Sequence, residues 1–262
     1  MAVTFVEKKQ AKEYLHGHWH TAATVQVSVF VSELLLLSTA LWLPGSDIFV
    51  TACALLIDVL IISPLKAGRA FFFETLTADG EAATLSLLFR YYRYGYERTV
   101  GWRLYAWGQR LLLSVILYIP ALFLFACSRV LGETNPTQEE TLLSLICFAV
   151  GVLVTVITFA VIEIILLRSL PIPYLLSHTG GLRGAIVLSR RITKGRTGPL
   201  TLLHLDHIGW AFASLFIIPF PFALALFHTA KAATVRRFLA RIPEENATHV
   251  LQRRKKYDRM SR

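Results

Sequence analysis

The chain has 262 residues, 55% of them hydrophobic and only 17% charged, and a formal net charge of +10. A soluble domain carries about a quarter charged residues; here the apolar residues come in long blocks, which excludes an ordinary soluble enzyme and indicates a polytopic membrane protein. The surplus Lys and Arg residues lie between and after those blocks, as flanks facing anionic lipid headgroups and not as a nucleic-acid surface.

Met1 to His20 is polar and reads as a helix at the membrane interface. His16, His18 and His20 alternate beside Trp19, and an interfacial belt accounts for them without a metal. The apolar run that follows has no small-residue cleavage site, so it is expected to stay as a helix. The first span runs from about Thr24 to Leu43. Pro44-Gly45-Ser46-Asp47 then makes a tight turn, with Asp47 placed to cap the next helix. The second span runs from about Ile48 to Leu65.

Lys66 to Arg110 holds seven basic residues among clustered aromatics: Lys66, Arg69, Arg90, Arg93, Arg98, Arg103 and Arg110. Leu85, Leu88, Phe89 and Tyr92 recur at helical spacing with Arg90 and Arg93 offset from them. This predicts an amphipathic helix along the membrane surface. The third span runs from about Leu111 to Leu131, with a kink expected at Pro120. The fourth runs from about Thr141 to Leu167. Pro171, Pro173, Gly180 and Gly181 break it, and GLRGAIVLSRRITKGR is a basic amphipathic segment. Pro199 starts a fifth helix that turns fully apolar up to Ile218. Pro219-Phe220-Pro221 interrupts it before a weaker sixth. The expected fold is therefore all-α, a membrane bundle of about six helices with amphipathic interfacial helices. Residues 1–241 form one domain and 242–262 a basic tail. Because the sixth apolar stretch is short, five spans is the alternative.

Three acids sit inside these apolar runs: Glu33, Asp58 and Glu163. A carboxylate at a bilayer centre costs about 3 kcal/mol or more, so each must pair, protonate or face water. Glu33 and Asp58 lie about equally far from the turn at Gly45, so they are expected at one depth, where like charge favours protonation of one. Ser32 and Ser38 are local hydrogen-bond partners. On that reading an amide would serve as well as the acid, and Asp58→Asn should be tolerated. His204 and His207 share a helix face, and with Asp206 or Glu163 they could bind a metal through mixed nitrogen and oxygen ligands. A polar cluster at the headgroup boundary accounts for them better, and no metal or cofactor is expected. Cys53, Cys127 and Cys147 lie in or beside apolar segments without a CxxC and read as small buried residues. Glu139 and Glu140 are paired, but no arginine follows three residues on as an intramembrane prenyl-endopeptidase would need. There is no HExxH, GxSxG, Walker loop or GxGxxG, and no catalytic residue is assigned.

Three stretches in order resemble an uncharacterised bacterial integral-membrane family, domain of unknown function 975. Leu15, Gly17 and Trp19 resemble its Leu-x-Gly-x-Trp entry to the first helix. Pro64, Leu65 and Gly68 resemble its Pro-Leu-x-x-Gly turn, with Leu88 and Phe89 its later Leu-Phe element. Ser189, Gly195 and Trp210 resemble its basic helix running into a segment that ends in Trp, and Pro221 its final proline-led helix. HLDH departs from the apolar stretch expected there. The resemblance implies about six membrane helices and no known activity.

The first functional expectation is a non-enzymatic protein of the cell membrane that organises, assists or regulates other membrane components. The second is a small ion-coupled transporter using Glu33 and Asp58. The third is an intramembrane metal-dependent hydrolase using Glu163, His204 and His207. The basic connections at Lys66–Arg110 and Arg168–Arg196 place both in the cytoplasm, together with the N-terminus and the tail. In a cysteine-free background, single cysteines at Ser46 and Gln138 should label from outside and one at Arg254 should not. Outside labelling at Arg254 removes the sixth crossing.

Overall fold

The computed structural model describes residues 2–42, 44–132, 137–203, 205 and 220–240. Among these all regular structure is helical, with no strand. The basic tail, 242–262, and most of the expected fifth helix lie outside the described residues, as does Trp210.

Helix α1 (Ala2–Leu15) meets α2 (Trp19–Leu41) at a corner made by Gly17, whose φ of +82° suits glycine. Leu15 is fully buried on one side of the corner, and Trp19 opens α2 on the other. The Leu-x-Gly-x-Trp pattern thus spells helix, corner, helix. The cap of α3 (Asp47–Ile57) is Ser46, whose hydroxyl accepts from the Phe49 N–H at 3.4 Å. Asp47, the expected cap, is instead the first helical residue, where its charge suits the helix dipole.

The helix that carries the second span does not stop at Leu65. Helix α3 passes through a π-helical turn, Asp58–Ile62, into α4 (Ser63–Ala78), so that Asp47–Ala78 is one helix of 32 residues. The physical reason lies around Pro64. Proline has no N–H for the carbonyl four residues back, at Leu60, and crowds it. The π turn relieves the crowding, and the Tyr96 hydroxyl donates to the Leu60 carbonyl at 2.8 Å. The Tyr92 hydroxyl donates to the carbonyl of Ile61.

The predicted surface helix at Leu85–Tyr94 is not continuous. It is a 3-10 segment, Leu85–Phe89, followed by the short α5 (Arg90–Arg93). Leu88 is buried against α4 and sets this path. A Cβ on Gly68 would run into the Leu88 carbonyl oxygen, so the two backbones touch where the Pro-Leu-x-x-Gly and Leu-Phe patterns meet.

Two compact units emerge, Met1–Leu104 with Arg168–Arg262, and Tyr105–Leu167. In the first, α4 is central. It packs against α2, α9 (Ile172–Leu175), the Leu85–Phe89 segment and α12 (Phe220–Ala240). Phe72, Phe73 and Leu76 are its buried face. Helix α10 (Leu182–Thr193) is tied in by Ser189, whose hydroxyl donates to the Arg168 carbonyl at 2.6 Å, and the chain leaves α10 through Gly195 at φ +72°. Helical residues 197–203, α11, add the buried Leu200 and Leu203.

The second unit is a hairpin of α7 (Ile119–Gly132) and α8 (Gln138–Leu166) together with the later part of α6 (Tyr96–Leu117). Helices α6 and α7 meet at a 46° bend beside Pro120, where the sequence places a kink. Ser128 and Ser144 each donate to the other's carbonyl, at 2.9 and 2.8 Å. A capping box starts α8: the Thr137 hydroxyl accepts from the Glu140 N–H, and the Glu140 carboxylate accepts from the Thr137 N–H at 2.8 Å.

Among the described residues three helices are long and apolar enough to cross a membrane, Trp19–Ala40, Asp47–Ala78 and Gln138–Leu175, and a fourth if α6 and α7 form one bent span. Gly68→Ala is expected to destabilise the chain by about 2–3 kcal/mol, because backbone atoms cannot yield to the added methyl. Gly108→Ala, in α6 with open space around it, should be neutral or stabilise by up to about 1 kcal/mol. Denaturation of the purified variants in detergent checks both, and an unchanged Gly68→Ala protein would show that the α4 contact is slack.

Candidate functional site

The site grows from the widened turn. Two ordinary helical turns take about seven residues, and a π turn adds about one more. Asp58 and Lys66, eight apart, therefore come to the same face of their helix. Lys66 donates to Asp58 Oδ1 at 3.3 Å. It also donates to Glu33 Oε1, on α2, at 2.6 Å. From α6, Arg103 grips Asp58 with two hydrogen bonds, Nε to Oδ2 at 2.6 Å and Nη2 to Oδ1 at 3.0 Å. Two acids and two bases from three elements thus form one connected cluster. Asp58 is its most buried member, with a side chain only 8% exposed, against 32% for Glu33.

A charged group removed from water is tolerated when paired and hydrogen-bonded. Each carboxylate here faces a cation, and the forked guanidinium fits the Asp58 carboxylate in the strong bidentate geometry. The expectation of a protonated acid bonded to nearby serines is therefore corrected. Ser38 bonds to the Leu35 carbonyl of its own helix at 2.8 Å, and Asp58 faces two donors. An asparagine there would turn its own N–H₂ toward donors or leave one unanswered.

Glu163 has a cation partner of its own. It lies in the second unit, paired with Arg110 at 2.6 Å, and both side chains are about half exposed. His204, Asp206 and His207 lie outside the described residues. Among the described residues no three His, Cys, Asp or Glu side chains gather closely enough to hold a metal ion. His16 and His20 are exposed, and His18 lies beside Gly80. Glu140, one of the paired glutamates, closes the capping box of α8.

Lys66 and Arg103 carry no functional weight in the sequence reading, where they count only as basic flanks. A lysine eight residues after an intramembrane acid is a weak signal, because an ideal α-helix would set the two about a quarter-turn apart. A second polar layer surrounds the buried Gln26, which accepts from Arg69 at 3.3 Å and donates to the Leu224 carbonyl of α12 at 3.4 Å. Tyr174 and His228 share a hydrogen bond at 3.0 Å, and His178 meets Glu74 at 3.0 Å. The Tyr91 hydroxyl is buried with no hydrogen-bond partner among the described residues, and burial pushes its phenol well above the ordinary range.

Fold and site together define an all-helical protein with helices apolar enough to span a membrane and a charge-paired cluster between three of its elements. A family model described as "Protein of unknown function (DUF975)" matches residues 5–244, and the chain belongs to that family. No curated protein and no solved structure matches it.

Asp58→Asn is expected to cost about 3–5 kcal/mol, the loss found when one partner of a buried ion pair is removed. Glu33→Gln, less enclosed and held by one cation and not two, should cost less. The double variant Asp58→Asn/Arg103→Met should recover most of the loss, because the stranded guanidinium goes as well. Unfolding in detergent reads all three, and a fully stable Asp58→Asn protein would show that the cluster contributes nothing.

Proposed function

We infer that the chain is a non-enzymatic integral membrane protein that organises, assists or regulates other membrane components. One observation carries this reading. The two acids deepest in the apolar helices already have built-in cations, Lys66 and Arg103. A proton- or cation-coupling site needs a carboxylate that can exchange its partner as the ion enters and leaves, and these carboxylates are held by side chains of the same fold. The family patterns support it as well. Gly17, Gly68, Ser189 and Gly195 make corners, a close helix contact and a tether, all architectural duties.

The proposed topology has six crossings in the cell membrane, with both ends in the cytoplasm, as one domain over 1–241. Four crossings draw on the long apolar helices. The fifth would use residues 199–218, and the sixth would enlist α12, which is less apolar than those four and carries Lys231, Arg236 and Arg237. Anionic headgroups on the cytoplasmic side and other membrane proteins are the proposed partners.

The test is ion flux in proteoliposomes. Wild-type protein should show no H⁺ or Na⁺ movement above protein-free vesicles. A flux that is present in wild type and lost in Glu33→Gln, with folding intact, would overturn the reading in favour of an ion-coupled permease.

A further inference from the structure

The segment between α4 and α6 doubles back along α4. Leu88 touches Gly68, Tyr92 reaches the Ile61 carbonyl, and Tyr96 reaches Leu60. These three contacts fix its level along the long helix, close to residues 60–71. The hydrocarbon core of a bilayer is about 30 Å thick and takes about 20 helical residues. Counted from Asp47 at the turn, that length ends near Lys66. The doubled-back segment therefore lies where hydrocarbon gives way to headgroups, on the side the basic residues assign to the cytoplasm.

At that level the surface holds an open groove of about 660 Å³ lined by Ser86, Leu87, Phe89, Arg90, Arg93 and Tyr94. Arg90 and Arg93 lie three apart on α5 and are exposed. Among the described residues neither has a carboxylate partner within ion-pair distance. Arg90 is instead held over the Phe71 ring at 4.4 Å, an arrangement that leaves the guanidinium edge free to donate. The groove thus combines two unneutralised guanidiniums, the Ser86 hydroxyl and exposed apolar surface from Phe89 and Tyr94, 53% and 60% exposed. Its floor is rigid, because the same backbone is fixed to α4 at Leu88.

We propose that this groove is a binding site for the phosphodiester headgroup of an anionic phospholipid. Arg90 and Arg93 donate to the phosphate oxygens, Ser86 and Tyr94 supply neutral hydrogen bonds, and Phe89 and Leu87 flank the upper acyl chain. A soluble phosphate would use the guanidiniums but leave the apolar rim wet, and that rim together with the depth assigns the site to lipid. The proposal rests on the membrane reading above and deepens its headgroup partner into a defined site.

The experiment uses the full chain purified in a neutral detergent. Phosphatidylglycerol and phosphatidylcholine are titrated separately, with thermal stability and retained lipid in native mass spectrometry as readouts. Phosphatidylglycerol should stabilise the protein and be retained, and phosphatidylcholine should do neither. Arg90→Gln/Arg93→Gln should weaken phosphatidylglycerol binding by about tenfold or more while keeping the wild-type melting temperature in phosphatidylcholine. Lys9→Gln/Lys12→Gln, which removes two exposed charges from α1, should bind as wild type. Equal weakening in that control would reduce the effect to general surface charge and overturn the site. An equal response to millimolar inorganic phosphate would overturn the lipid assignment. If the double variant does not fold, Arg93→Gln alone, at an exposed position, must show the loss, and its absence overturns the proposal. Release of the protein from native membranes by alkaline carbonate, read separately, would instead mark failure of the membrane reading itself.

Discussion

Charge in an apolar helix has to be answered from within the fold, and in this chain the answer is the grip of Arg103 and Lys66 on Asp58. Three elements depend on it. The π turn brings Asp58 and Lys66 to one face, Glu33 draws α2 to the same lysine, and Arg103 draws in the start of α6. Such a cluster adds little net stability over a well-packed apolar core, because desolvation consumes most of the Coulomb gain. Its value is in register. An apolar helix slides along its neighbours at small cost, while a buried carboxylate with two required partners accepts one alignment.

The widened turn belongs to the same arrangement. Pro64 forces a local change in the helix, and the tyrosines at 92 and 96 take up the backbone carbonyls affected. Gly68, one turn further, admits the Leu88 backbone. Proline, glycine and two tyrosines thus act together: one disrupts the ladder, one clears space, and two satisfy the exposed acceptors. The same 32-residue helix carries the charge cluster in its widened stretch and the aromatic-basic groove beside its later half.

The helical class, the long apolar helices through Glu33, Asp58 and Glu163, and the bend at Pro120 are legible because blocks of apolar residues and an internal proline have few structural solutions. The corner at Gly17 was legible only as a family pattern. Its reason, a left-handed backbone, is a conformation and leaves no periodic signal. The partners of the acids were hidden for a different reason. Lys66 and Arg103 looked like membrane flanks, and the pairing of Asp58 with Lys66 depends on a π turn that sequence periodicity does not report. The continuation of the helix past the second span is hidden for a related cause: the tyrosines that satisfy the carbonyls before Pro64 come from a distant stretch of the chain. The Thr137–Glu140 capping box is readable from its Thr-x-x-Glu spacing.

The length of the Asp47–Ala78 helix carries a mechanical implication. At about 1.5 Å per residue its 32 residues extend some 48 Å, well beyond a hydrocarbon core of about 30 Å. In a bilayer the excess stands beyond the hydrocarbon, and the doubled-back Leu85–Arg93 segment is fastened at its start, at Gly68 and Phe71. Helix tilt responds to bilayer thickness. A ten-degree change would move Phe71, about 8 Å beyond that boundary, by about 1 Å and the end of the helix at Ala78 by about 3 Å, so local membrane thickness would be converted into displacement that grows along the helix from the groove outward.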